Sequence, residues 1–116
     1  MKTIDLCIAR EFSAYPAGRE ASDGEYNARR FMNELLVPRL RQAIQTDAKL
    51  EVNLEGLLAC GSSFLDGSFG QIMRERIFSP KEVEGHIDIV AASPRYRRYI
   101  DAAKRYMQDA EKHASS

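Results

Sequence analysis

The residues best suited to chemistry in this sequence lie in segment 61–70, GSSFLDGSFG. The hydroxyls of Ser62, Ser63 and Ser68 are predicted phosphoryl acceptors. A phosphate on Ser62 or Ser63 would lie at the start of a helix, where backbone N–H groups and the helix dipole stabilise negative charge. A phosphate on Ser68 would lie close to the carboxylate of Asp66. We therefore rank Ser62 and Ser63 no lower than Ser68 as acceptors.

Cys60 directly precedes this segment, and a thiol beside a helix start has a lowered pKa. This position suggests a cysteine enzyme in which His86 would act as the base. Such an enzyme holds an oxyanion in the loop that follows the cysteine, yet the sixth residue after Cys60 is Asp66, and residues 61–71 contain neither Lys nor Arg. We interpret Cys60 as a small residue that fills a strand-to-helix turn, and we predict no catalytic residue.

Polar residues alternate with apolar ones in three short stretches, and a metal ion could use their oxygen atoms as ligands. We favour a solvated or oligomer-facing sheet surface over a metal site, and we predict neither a metal nor a cofactor. A phosphate loop is also excluded, because the GxxxxGK[ST] pattern is missing. The polar residues concerned are Asp5, Glu51, Asn53, Glu55, His86 and Asp88.

The elements that would position these residues follow from hydrophobic periodicity. Alternation predicts strands around Leu6, Val52 and Ile89, and helical spacing predicts a helix after each strand. The first helix has the capping-box spacing Ser22-x-x-Glu25, and Pro38 inside it predicts a bend or a break. A βαβαβα order with alternating strands indicates a two-layer α/β domain, with a mostly parallel sheet and helices on one face.

Small residues recur along the second predicted helix, at Ser63, Gly67 and Gly70. Each glycine costs roughly 1 kcal/mol relative to alanine inside a helix, so we expect the bulk-free strip to allow another backbone close, from the chain's own sheet or from a partner. Phe69 continues the buried stripe of this helix, which leaves Phe64 as the exposed phenylalanine of the predicted partner interface. Asp66 is predicted to cap and orient the helix start.

Composition limits the remaining possibilities. The chain of 116 residues predicts one domain over residues 1–112, with a frayed tail at 113–116. Seventeen basic residues balance seventeen acidic ones, which gives no overall field for nucleic acid or a membrane surface. Two widely spaced cysteines and no recognisable leader or membrane span indicate the cytoplasm. Arginines interleaved with tyrosines at 95–106 are interpreted as a solvated helix face.

The run LEVNLEGLLACGSSFLDGSFGQIM, preceded by FSAYPAGR and a long first helix, resembles the STAS-like domain family, relatives of the anti-sigma-factor antagonists. The resemblance covers roughly residues 4–106. It implies a cytoplasmic, non-enzymatic module that binds a protein partner through the start of the helix after the second strand. In the better-known antagonists the partner is a histidine-kinase-like ATPase that phosphorylates a serine in an Asp-Ser-Ser-Gly segment.

The chain departs from that segment at the usual acceptor. Asp66 matches the Asp, Gly67 replaces the first Ser, Ser68 matches the second, and Phe69 replaces the Gly. The resemblance thus predicts a regulatory interaction module, whose phosphorylated switch either lies at Ser62 or Ser63 or is missing. Arg19, in the loop YPAGR, is a further interface residue, which would pair with an acidic partner residue or with Asp66, or be solvated.

Two other classes of function stay open at this stage. One is a small cysteine-dependent enzyme that uses Cys60. The other is a structural subunit that pairs through the open face of its sheet.

Overall fold

A three-stranded parallel sheet organises the chain, of which the computed structural model describes the backbone of residues 2–114 and the side chains of residues 2–112. Strands β1 (Thr3–Cys7), β2 (Lys49–Asn53) and β3 (Ile87–Val90) lie in the order β1-β2-β3. Leu6, Val52 and Ile89 are in register and buried. The predicted α/β class with a parallel sheet is confirmed.

The first long helix is assembled from three parts after a short helix α1 (Ile8–Glu11). These parts are α2 (Ala28–Phe31), a π-helical segment (Met32–Leu36) and α3 (Val37–Gln45), and together they form the first composite helix. Its N-cap is Asn27, whose side-chain oxygen accepts a hydrogen bond from the N–H of Arg30 at 2.9 Å. The predicted cap at Ser22 is wrong, because Ser22 lies in a separate 3-10 turn.

The helix passes through Pro38 without the predicted break. The N–H of Val37 bonds to the carbonyl of Met32, five residues earlier, so the chain forms one π turn immediately before the proline. A proline in a helix removes one N–H and crowds the carbonyl four residues before it. The wider π turn next to Pro38 accommodates that disturbance while the helix continues.

The second composite helix follows β2 and has the same construction. It comprises α4 (Ser62–Leu65), a π-helical segment (Asp66–Gly70) and α5 (Gln71–Arg74). A further helix, α6 (Pro80–His86), was not predicted. Its start has strong sequence signals, since Ser79 and Glu82 form a reciprocal capping box around Pro80.

The last helix, α7 (Arg97–Ala114), begins after a 3-10 turn (Pro94–Tyr96) and packs against the second composite helix and β3. Tyr96 of this turn and Ala103 and Met107 of the helix are buried. The tail predicted at 113–116 falls at the limit of the structure, because the helix extends to Ala114 and the last two residues lie outside the described part.

The polar face of the sheet carries a row of three carboxylates in register, from Asp5 through Glu51 to Asp88. His86 is not on this face, which corrects the predicted set. It is the last residue of α6, and its Nε2 lies 3.2 Å from a carboxylate oxygen of Asp47. Among the described residues, no group of three or more His, Cys, Asp or Glu side chains is placed to hold a metal ion.

Candidate functional site

The loop after β2 carries the chain from the sheet to the predicted site, and Tyr96 holds it in place. The Tyr96 hydroxyl accepts a hydrogen bond from the N–H of Gly56 and donates one to the carbonyl of Leu57, each at 3.1 Å. Gly56 has a φ of 93°, a value that side-chain-bearing residues rarely adopt. The Tyr96 side chain therefore holds the loop in place at Gly56 and Leu57, before the chain reaches Ser62.

The first two serines of the site are exposed and open the second composite helix. Gly61 is the N-cap residue, and no side chain caps the helix there. Ser62 and Ser63 follow as its first helical residues, with both side chains in solvent. Both hydroxyls are placed where a modifying enzyme has access.

Asp66 joins two arginines rather than capping the helix, which corrects its predicted role. Its carboxylate lies 2.8 Å from Nη1 of Arg19 and 3.0 Å from Nη1 of Arg74. Burial alone would raise the pKa of Asp66, but hydrogen bonds from Arg74 and Arg19 outweigh it, so the pKa is below its usual value. Of the three predictions for Arg19, pairing with Asp66 is confirmed.

Gly67 and Gly70 are buried and allow close packing within the chain itself. A Cβ at position 67 would lie 2.9 Å from the Cβ of Ala28 and 3.1 Å from Cγ of Arg19. A Cβ at position 70 would collide with the Asp66 carboxylate that pairs with Arg74. Gly67 thus faces the first composite helix and the loop of Arg19, whereas Gly70 faces side chains of its own helix, and neither buried glycine offers surface to a partner.

Phe64 is fully buried, so the prediction that it is exposed is wrong. Its ring packs 5.4 Å from that of Phe31 and 6.1 Å from that of Phe12, measured between centroids. Phe69 is also buried and packs against Phe31 at 6.5 Å. The π turn explains this arrangement. Phe64 and Phe69 are five residues apart, and a π turn brings such residues to the same side of the helix, whereas the ordinary period of 3.6 residues would separate them.

Ser68 is fully buried, and its hydroxyl donates a 2.7 Å hydrogen bond to the carbonyl of Phe64. A buried serine in a helix commonly bonds to the carbonyl four residues earlier. The hydroxyl is therefore inaccessible to an enzyme in the folded chain, and only Ser62 and Ser63 of the three predicted acceptors are on the surface.

A groove of about 340 Å³ runs between the second composite helix and α7, next to Ser62. Its walls combine two guanidinium groups with two carboxylates. The lining residues are Arg19, Ser62, Asp66, Arg74, Tyr106, Asp109 and Ala110.

Comparison with known families decides what kind of domain this is. A family model described as a STAS-like domain of unknown function (DUF4325) matches residues 27–97, more than half of the chain. The chain belongs to this STAS-like family. The match includes both composite helices, while Arg19 and most of α7 lie outside it. Searches of curated proteins and of solved structures gave no significant match.

Membership agrees with the predicted class of function at a coarse level. STAS-like domains are generally non-enzymatic, and the family suggests a regulatory protein-interaction module. No helix in the described part of this STAS-like domain is long and apolar enough to cross a membrane.

Sequence reasoning missed two exposed apolar residues in the loops near the carboxyl ends of β1 and β2. Tyr15 is 63% exposed and Leu58 is 60% exposed. Tyr15 lies in the loop after α1 and Leu58 in the loop after β2, and the two loops are joined because the N–H groups of Leu58 and Ala59 donate to the carbonyl of Ala14 at 2.9 and 3.3 Å. No signal in the sequence indicated this exposure, since adjacent apolar residues such as Phe64 and Leu65 are both buried elsewhere in the chain.

Cys60 and His86 are not brought together by the STAS-like fold. Burial raises the pKa of the Cys60 thiol to about 12, so the thiolate that a cysteine enzyme needs is scarce at neutral pH. Cys60 follows the carboxyl end of β2, whereas His86 precedes the amino end of β3, and the strands are parallel. The two residues therefore lie toward opposite ends of the sheet, which argues against the cysteine-enzyme alternative.

Proposed function

We propose that this STAS-like domain binds a protein partner through a strand-end surface formed by Tyr15, Leu58, Ser62 and Ser63. The observation that carries the proposal is the exposure of two large apolar side chains on joined loops, 63% for Tyr15 and 60% for Leu58. Loops at the carboxyl ends of parallel strands are where α/β domains commonly bind ligands. Exposed apolar side chains grouped at such an edge favour a docking function.

The partner that we propose is a histidine-kinase-like ATPase domain, in keeping with the resemblance to the anti-sigma-factor antagonists. The strand-end surface includes the helix start that this resemblance implies, and it also includes Tyr15 and Leu58 from the two joined loops. Phe64, Gly67 and Gly70 support the surface from within, since all three are buried. Partner contact falls to the exposed residues.

Phosphorylation of Ser62 or Ser63 is the switch that we propose for this surface. A phosphoserine adds about 1.5 to 2 negative charges at neutral pH. On Ser62 this charge would enter the groove beside Arg19 and Arg74 and compete with Asp66 for them. The charge state of the partner-binding surface would change, while the buried packing below it would not.

Site-specific photo-cross-linking of the full chain tests partner binding. A photoreactive phenylalanine analogue replaces Ser63 in one sample and Asn33, an exposed residue of the first composite helix, in the control. Each sample is irradiated in an extract of the cells of origin. We expect one discrete adduct with the label at 63 and none at 33, and mass spectrometry then tests whether the captured protein is an ATPase.

Variants identify the residues that hold the partner. Leu58→Asp should abolish the adduct, because it places a charge where an apolar contact is proposed. Ile77→Asp is the matched control, since Ile77 is 40% exposed but lies outside the surface. An adduct that survives Leu58→Asp, or that forms equally from position 33, would contradict the proposal.

Peptide mass mapping tests the switch separately. The tryptic fragment 50–74 of the protein isolated from its cells contains Cys60 and all three serines. We expect phosphate on Ser62 or Ser63 and none on Ser68, whose hydroxyl is buried. A fragment without phosphate under all growth conditions would leave a constitutive binding module, and the switch would be rejected.

The alternative of pairing through the open sheet face has less support. Two copies that met on this face would bring together the carboxylate rows of Asp5, Glu51 and Asp88. Burial of unpaired like charges is strongly unfavourable. The strand-end surface has no such obstacle.

A further inference from the structure

A recess of about 190 Å³ adjoins the strand-end surface at Leu58. It lies between the loop after β2 and the start of α7. Two leucines, two tyrosines and two arginines line it: Leu57, Leu58, Arg95, Tyr96, Arg98 and Tyr99.

The floor of the recess is rigid. Tyr96 is 3% exposed, and its hydroxyl fixes the loop through Gly56 and Leu57, each at 3.1 Å. The ring of Tyr99 packs against that of Tyr96, with 6.4 Å between centroids. A preformed recess binds its ligand at a lower entropic cost than one that must order on binding.

Its rim carries positive charge that the domain does not neutralise by ion pairing. Neither Arg95 nor Arg98 forms a salt bridge with any residue among 2–112. The Arg95 guanidinium lies 5.4 Å from the centre of the Tyr96 ring. Glu55 accepts hydrogen bonds from the N–H and hydroxyl of Ser93 at 2.9 and 2.6 Å, and these bonds, with a smaller contribution from Arg95, lower its pKa.

The neighbouring Arg97 differs from Arg95 and Arg98 in its position. It is exposed but does not line the recess. Arg95 lies in the 3-10 turn before α7, and Arg98 and Tyr99 follow it by three and four residues, a spacing that brings side chains to one side of a helical segment. From the sequence, the arginines and tyrosines at 95–106 are interpreted as a solvated helix face.

We infer that the recess binds an acidic segment of the partner protein, in which an apolar side chain lies against Leu58 and Tyr99 while carboxylates pair with Arg95 and Arg98. The inference rests on the proposed function, because it gives the chemistry of the partner at one edge of the strand-end surface. The effect of phosphorylation is separate, because Ser62 lines the groove with Tyr106 and Asp109, further along α7 than the recess.

Titration of the full, ¹⁵N-labelled chain with a synthetic peptide tests this inference. In the probe, one leucine is flanked on both sides by aspartates and glutamates, and a matched peptide carries asparagine and glutamine instead. We expect the acidic probe to shift the amide signals of Leu58, Arg98 and Tyr99. Arg98→Gln should weaken binding roughly two- to five-fold, as expected for loss of one exposed charge pair, whereas Arg97→Gln should leave the affinity unchanged.

Several results would overturn the inference. These are equal binding of the amide peptide, an equal loss in Arg97→Gln, shifts confined to other surfaces, or no shift at all. Binding of a single-stranded oligothymidylate in place of the acidic peptide would also overturn it, since the arginines and tyrosines would then serve nucleic acid.

Failure of the inference and failure of the proposed function are distinguishable. If the adduct from position 63 forms equally in the Arg95→Gln/Arg98→Gln variant, the partner binds without acidic docking, and only the inference fails. If the peptide binds in the recess but no adduct forms, the recess chemistry holds and the proposed strand-end function fails.

Discussion

Gly67 shows at the scale of one residue how tightly the two composite helices pack. Alanine is the better helix former by roughly 1 kcal/mol, yet a Cβ at position 67 would lie 2.9 Å from the Cβ of Ala28. Such overpacking typically costs about 1 to 3 kcal/mol. We expect Gly67→Ala to lower the free energy of unfolding by about 1 kcal/mol in urea titrations. Gly85→Ala is the control, because nothing lies within 4 Å of its added Cβ, and it should be neutral or stabilising.

Cys60 gives a second prediction at this scale. The side chain is 8% exposed, and burial raises its pKa to about 12. We expect iodoacetamide at neutral pH to alkylate the half-buried Cys7 before Cys60, and Cys60 to react only after the chain is unfolded in urea. Mass mapping of fragment 50–74 measures this directly. Rapid alkylation of Cys60 in the folded chain would favour the thiol-enzyme alternative.

At the scale of elements, one ion pair connects the loop before the first composite helix to the second composite helix. Arg19 and Asp66 are 2.8 Å apart, with the arginine side chain 47% exposed. An exposed pair contributes little to global stability, about 0 to 1 kcal/mol. We expect Arg19→Gln to change the urea midpoint only slightly but to speed hydrogen exchange around residues 17–24. Arg39→Gln, which breaks the pair with Glu11 outside this loop, should leave exchange of residues 17–24 unchanged.

Sequence patterns predicted the strands, their parallel order and the three main helices, because burial imposes periods of 2 and 3.6 on apolar residues. They failed where the period changes locally. Each composite helix contains a π segment, so Phe64 turned inward although the helical period placed it outside. Pairing of Arg19 with Asp66 was foreseen as one of three possibilities. The joining of the loops of Tyr15 and Leu58 was not, since it depends on hydrogen bonds between segments far apart in sequence.

The charges of the whole molecule sum to zero, with seventeen basic and seventeen acidic residues, but their arrangement makes stability depend on pH. A hydrogen bond from Arg39 lowers the pKa of Glu11, and one from Arg29 does the same for Glu75. The pKa of Asp66 is lowered as well, because its arginine partners outweigh its burial. A carboxylate with a lowered folded-state pKa stabilises the fold above its unfolded pKa, and that contribution disappears as the pH falls through the folded value.

The pKa of Glu84 is shifted in the opposite direction, so this residue serves as a comparison when stability is measured as a function of pH. A hydrogen bond with Glu111, together with burial and mutual repulsion, raises its pKa. The contribution of Glu84 to the free energy of unfolding is therefore present below its unfolded-state pKa and is lost as the pH rises through its folded-state pKa. Carboxylates with a lowered pKa, which include Glu11, Asp66 and Glu75, outnumber those with a raised pKa among the described residues. We therefore expect the urea midpoint of the chain to fall steadily from pH 5 to pH 3, the range around the ordinary carboxylate pKa of about 4. Glu84→Gln should raise the midpoint at pH 7 relative to the unmodified chain, because it removes the repulsion with Glu111, and this advantage should shrink as the pH approaches 3. A midpoint that rises on acidification would show that the paired carboxylates do not control the stability of the fold.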